Sequence, residues 1–215
     1  MDHHKILETV KADILQVALA DIAFEGFTDA VVNKAAQSAG IEPTELALAF
    51  PRGGIDLAIY FVRYGVDQMQ AKLASLDIES MKIRERIKIA VQIRLEVDAD
   101  HKEIARRAFN MLALPGNTKD ASACLAHTVD VMWRSTGDKS TDFNFYTKRA
   151  TLAAVYSATR LFWLNDDSTD AQDSWAFLDR RIDNVMQIEK GKAKFRELQK
   201  SLGDFLETLA KFRYR

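Results

Sequence analysis

Ala20-Asp-Ile-Ala-Phe-Glu-Gly-Phe-Thr-Asp-Ala-Val-Val-Asn-Lys-Ala-Ala-Gln-Ser-Ala-Gly-Ile-Glu-Pro-Thr-Glu-Leu-Ala-Leu-Ala-Phe-Pro51 is the stretch whose punctuation decides the fold. Upstream of it, Ile6, Val10, Ile14, Val17, Leu19 and Phe24 return to one face at steps of three and four, the spacing of an amphipathic helix. Gly26 suits the left-handed residue that ends such a helix. A second, short helix then runs from Asp29, a fair N-cap, to Ala39, and Gly40 closes it. Pro43 fits the first position of a third, Pro43–Ala49. One long helix followed by two short ones across a tight glycine turn is a helix-turn-helix head.

Beyond Pro51 the helices lengthen. The pattern gives Ile55–Leu76, Ile78–Val97, Asp100–Leu112, Thr118–Arg134, a helix capped by Thr141 or Asp142 that runs to Leu164, then Asp170–Ile188 and Ala193–Phe212. Three prolines and nine glycines are too few for a sandwich or barrel, so an all-α protein of about ten helices is expected. Its expected parts are a head (1–54), a helical body (55–190) and a C-terminal helix (191–215).

The head resembles the N-terminal domain of TetR-type regulators through Ala20–Gly26, Ala35-Ala36, Ala39-Gly40-Ile41 and Leu48-Ala-Phe50-Pro51. Its chemistry points away from DNA. Duplex binding begins with lysines and arginines on phosphates. Between Thr28 and Asp56 the only basic residues are Lys34 and Arg52, against Asp29, Glu42, Glu45 and Asp56. The would-be recognition helix Pro43–Ala49 has no Arg, Lys, Asn or Gln to read base edges. After Phe-Pro, where such regulators place a phosphate-contacting lysine, stands Arg52-Gly53-Gly54. DNA is not an expected partner.

An apolar fraction of 47% with 28% charged residues is that of a globular protein, and no window approaches a membrane span. The first residues lack an apolar signal core and the Arg/Ser-rich character of a transit peptide, so a bacterial cytoplasmic protein peripheral to the inner membrane is expected. The single cysteine, Cys124, rules out an internal disulfide and reads as a buried thiol. Of the four histidines, no pair has the spacing of a zinc or di-iron site. His101 reads as solvated and His127 as structural. Asp166-Asp167 reads as solvated loop charge. There is no phosphate loop and no nucleophile motif, so no catalytic residue, metal ligand or cofactor is expected.

Charge is unevenly spread. Residues 190–215 carry eight basic and three acidic side chains, and the rest 22 basic and 28 acidic, which makes an acidic body with a basic tail. Along that tail Phe195, Leu198, Leu202, Phe205, Leu206, Leu209 and Phe212 draw one apolar stripe. A basic, Phe/Leu-faced helix fits an anionic membrane interface, and equally well packing on the body or on a second copy.

The most specific motif is Trp133-x3-Gly137-Asp-x-Ser-Thr-Asp142-x-Asn144-x-Tyr146. With Ala113-Leu114-Pro115-x-Asn117 and Asp173-Ser-Trp175-Ala-Phe177-Leu178-Asp-x-Arg181, it closely resembles the Coq-nine family of ubiquinone-biosynthesis proteins. The resemblance implies a TetR-like fold without DNA binding, and a lipid pocket for an isoprenoid quinone intermediate. It also implies a membrane-docking terminal helix and delivery of the precursor to the di-iron demethoxyubiquinone hydroxylase, with no catalysis by the chain itself. Carried over by position, the partner-facing residues are Leu114, Pro115, Asn117, Asp142, Phe145 and Tyr146, with Phe145 standing where some relatives have tryptophan. Small residues of the following helix (Ala150, Ala153, Ala154, Ser157 and Ala158) leave room for a lipid chain, or else pack as plain core. TetR-like bodies usually pair through their last helices, so a homodimer is expected. The alternative is a TetR-type regulator with a small-molecule pocket.

Overall fold

The computed structural model describes residues 3–137 and 143–187, and the described residues are helical without a strand. The head comprises α1 (His3–Glu25), α2 (Asp29–Ser38) and α3 (Pro43–Ala49). The body comprises α4 (Gly54–Ala74), α5 (Ile83–Glu96), α6 (Lys102–Leu112), α7 (Thr118–Ser135), α8 (Phe143–Leu164) and a helical stretch over 172–187, called α9.

The apolar period of α1 buries Ile14, Leu15, Ala18 and Ile22, on which α2 closes with Val31, Val32, Ala35 and Ala36. α4 is the axis of the molecule: it packs against α1 and α2 on the head side and α5, α6 and α7 on the body side. Its Leu57, Ala58, Val62, Val66, Met69 and Leu73 are all buried. Each such large side chain contributes about 1.5–3 kcal/mol relative to exposure, which is why tertiary burial outweighs helix propensity here.

Three local readings change. Thr28, not Asp29, caps α2, its Oγ1 accepting from Val31 N at 3.2 Å. Asp29 instead reaches across the head, and its Oδ1 accepts from Gly54 N at 2.9 Å, fixing the start of α4. The Gly53-Gly54 pair follows from this: a Cβ on Gly53 (φ +57°) would stand 2.0 Å from Asp29 Oδ1, and one on Gly54 2.0 Å from Phe27 O. Second, the helix expected from Ile78 begins at Ile83. Ile78 is buried as part of a turn, where Ser80 Oγ donates to Asp77 O and Arg86 Nε donates to Met81 O at 2.8 Å. Arg86 Nη1 also donates to Thr136 O at 3.0 Å, tying that turn to the end of α7.

Third, Asp166 is buried, not solvated. Its carboxylate accepts from Ser168 N and Ser174 N, both at 2.8 Å, and from the Ser174 hydroxyl, which caps α9. Burial works against its charge, but these hydrogen bonds outweigh it and lower Asp166 to about 2. α9 is then pinned to α5 by Lys88–Asp179 (2.8 Å) and Arg84–Asp183 (2.7 Å), while Phe177 stacks on Phe162 at 4.6 Å.

Candidate functional site

An apolar cavity of about 320 Å³ opens where α5, α7, α8 and α9 converge. Ile83 and Ile87 come from α5, Trp133 from α7, Thr151, Leu152 and Val155 from α8, and Ile182, Val185 and Met186 from α9. Its size is at the lower end of small-molecule sites, and its polar lining is limited to Arg84, Thr147, Lys148 and Thr151. Lys148 Nζ lies 5.5 Å from the Trp133 ring centroid, and Trp133 Nε1 is sealed from the cavity without a hydrogen-bond acceptor. The wall therefore offers oily contact for a chain or ring.

The small residues expected to leave lipid room lie differently. Ala150 and Ala154 are exposed, and Ala153 and Ala158 are half-buried. Ser157 lines a second, smaller cavity. The large cavity uses the neighbouring face of the same helix, through Thr147, Thr151, Leu152 and Val155. A run of small residues marks a helix face but not which neighbour stands opposite it. The combination of α5 isoleucines with Trp133 and Ile182 joins residues far apart in sequence, and no local period announces it.

Among the residues expected to face a partner, Leu114 (56% exposed), Pro115 and Tyr146 (70% exposed) are open to solvent. Asn117 is half-buried, and its Nδ2 donates to Met111 O at 2.8 Å, closing the last turn of α6. Phe145 is half-buried; Tyr146 packs edge-on against it at 5.1 Å and the Arg149 guanidinium lies 3.4 Å from its ring centroid. Asp142 lies outside the described residues, as do Phe195, Leu198, Leu202, Phe205, Leu206, Leu209 and Phe212.

The head offers little to a phosphate backbone. Glu42, the N-cap of α3, and Glu45 within it are exposed, with Glu45 Oε2 accepting from Glu42 N. Arg52 is exposed but paired: its Nε donates to Asp56 Oδ1 at 2.9 Å and its Nη1 to Asp120 Oδ2 of α7 at 2.8 Å. Those hydrogen bonds raise the Arg52 pKa and lower that of Asp120. Of the remaining groups, Cys124 is buried, and burial pushes its thiol up, away from reactivity. His127, expected to be structural, is exposed, and His101 lines a polar cleft with Asp98 and Asp100. Among the described residues no group of three His, Cys, Asp or Glu side chains is placed to hold a metal ion. Nor is any helix there long and apolar enough to cross a membrane.

A COQ9 family model matches residues 118–189, the segment that supplies three of the four walls of the large cavity. The probable ubiquinone biosynthesis protein coq9, mitochondrial, of Dictyostelium discoideum is 30% identical over 94% of this chain and 68% of its own length. The chain belongs to the COQ9 family. Human ubiquinone biosynthesis protein COQ9, mitochondrial, is 34% identical over 84% of this chain, and the chain spans 59% of that relative's length. The rat protein is 35% identical over the same share of this chain and 60% of its own. Among solved structures, a TetR transcriptional regulator from Nitrosomonas europaea superposes with a TM-score of 0.66, covering 82% of this chain and 98% of that one at 18% identity. That likeness gives the TetR-like fold, as the head's punctuation led one to expect. The relatives' names place them in mitochondria, whereas the sequence led to a bacterial cytoplasmic expectation.

Proposed function

We propose that this chain is a lipid-binding accessory protein of ubiquinone biosynthesis that holds an isoprenoid quinone intermediate in the cavity between α5, α7, α8 and α9. One observation carries the reading: the apolar cavity is walled mainly by the segment that the COQ9 family model matches. The exposed Leu114-Pro115 turn and Tyr146 form the surface that meets the demethoxyubiquinone hydroxylase, an aromatic and aliphatic pairing that interfaces favour. The basic 191–215 helix lies on anionic membrane, and the chain pairs with a second copy through its last helices. It presents substrate and performs no chemical step. The likeness to a regulator extends to the fold, while Glu42, Glu45 and the pairing of Arg52 with Asp56 and Asp120 argue against a regulator's grip on DNA.

The test is lipid extraction from the purified full chain followed by mass spectrometry. An isoprenoid quinone or precursor is expected in the parent, and less of it in Thr151→Phe. A folded protein devoid of lipid overturns the carrier reading. In the host, deletion should make the hydroxylase's methoxy-lacking substrate accumulate, and unchanged quinone levels would refute the pathway role.

A further inference from the structure

The large cavity changes character along its length. α9 runs antiparallel to α5, because Arg84 pairs with Asp183 (2.7 Å) and, one turn further along α5, Lys88 pairs with Asp179 (2.8 Å). The start of α8 stands at the same end as the start of α5: Lys148 lies over Trp133 of α7, and Arg86 ties the start of α5 to Thr136 at the end of α7. Ile83, Arg84, Thr147, Lys148 and Met186 therefore form one end of the cavity, where Ile83 and Met186 are 51% and 41% exposed. Ile87, Val155 and Ile182 form the other end. One turn beyond these three, Val91, Thr159 and Leu178 are fully buried and do not line the cavity. One end is thus open and edged with polar groups, and the other is apolar and closed by core.

Volume decides how much can enter. A cavity of about 150 Å³ holds one benzene ring, which is six carbons. On that scale the 320 Å³ here holds roughly 13 carbons, between two and three five-carbon isoprene units. A long polyprenyl chain does not fit. Polarity decides which end enters. A quinone ring at the inner end would set its oxygens against Ile87, Val155 and Ile182, which offer no side-chain hydrogen bond, and an unpaired buried polar group is costly. The free end of an isoprenoid tail has no such cost.

We propose that the cavity acts as a depth-limited socket for the free end of an isoprenoid tail. It takes up to about three units, with Val155 and Ile182 setting the depth, and leaves further units and the polar ring outside the mouth between Ile83 and Met186. This rests on the lipid-carrier reading and specifies it: tails are gripped at the tip, and length beyond the third unit is not discriminated.

The experiment is equilibrium dialysis of the full chain with geraniol, farnesol and geranylgeraniol, prenyl alcohols of two, three and four units. Each methylene moved out of water tightens binding roughly fourfold, so farnesol is expected to bind at least about tenfold tighter than geraniol. Geranylgeraniol should gain less than about threefold over farnesol, because its extra unit stays in water. N-acetyl-S-farnesylcysteine, whose head is too bulky to enter beside the tail, should bind no more than about threefold weaker than farnesol. Ile182→Phe should cancel the advantage of farnesol over geraniol. Should that variant not fold, Ile182→Ala, which deepens the inner end, should let geranylgeraniol outbind farnesol by about fivefold or more. A fourth unit that gains as much as the third, a cutoff unmoved in a folded Ile182 variant, or rejection of the farnesylcysteine derivative overturns this proposal alone. Failure of every alcohol to bind overturns the carrier reading together with it.

Discussion

Arg94 and Asp98 are one helical turn apart, fully enclosed, with Gly65 of α4 lying flat against the guanidinium. Removing one partner leaves a buried charge alone, so Asp98→Ala is expected to cost about 3–5 kcal/mol, measured by urea denaturation. The double variant Arg94→Met/Asp98→Leu should recover most of that loss, because no uncompensated charge remains. Asp166 gives a pH prediction whose sign follows from its lowered pKa. Its contribution is complete above the ordinary carboxylate value of 3.8 and is lost as pH falls through about 2. Melting temperature between pH 5 and pH 2 should therefore fall more steeply in the parent than in Asp166→Asn; parallel curves would contradict the assignment. Neither residue was legible beforehand. Arg94 stands in Ile93-Arg94-Leu95 like any surface arginine of an amphipathic helix, and Asp166 looks like loop charge because the serine that satisfies it lies eight residues on.

α8 shows how far a helical pattern can be read. Its existence and its C-terminal end at Leu164 follow from periodicity and the Asn165-Asp166-Asp167-Ser168 stop. The role of each face does not, because that depends on which helix the chain later folds against it. The two faces can be told apart by adding bulk. Thr151→Phe should reduce retained lipid several-fold, whereas Ala154→Phe, on the exposed side, should leave it as in the parent. Equal losses would mean that the cavity is not the lipid site. The α3–α4 junction gives the opposite lesson: Gly53-Gly54 was read as the absence of a phosphate-binding lysine, and its geometry supplies a positive reason. Gly54→Ala drives a Cβ into the Phe27 carbonyl and is expected to cost about 1–3 kcal/mol by thermal unfolding.

For the whole molecule, the three-helix head, the long-helix body and their order are carried by glycine, proline and the apolar period, all local signals. The resemblance in Trp133–Tyr146 and Asp173–Arg181 pointed to the family in the same way, because each stretch is short and continuous in sequence. The head's acidity predicts no retardation of duplex DNA even at low salt, where phosphate contacts are strongest; salt-sensitive binding would contradict it. Arg52 extends this beyond binding. A regulator must let its head turn relative to its body, since that turning is its signal. Here the guanidinium of Arg52, in the loop that leaves the head, reaches both Asp56 of α4 and Asp120 of α7 in the body, at the joint where the turning would occur. The two parts should consequently exchange their amide hydrogens as one cooperative unit, and Arg52→Gln should split that unit, with α2 and α3 exchanging ahead of α4 and α7. Beyond the shortage of lysines, this bridge opposes the turning that a regulator's signal needs, by the modest amount that an exposed ion pair contributes.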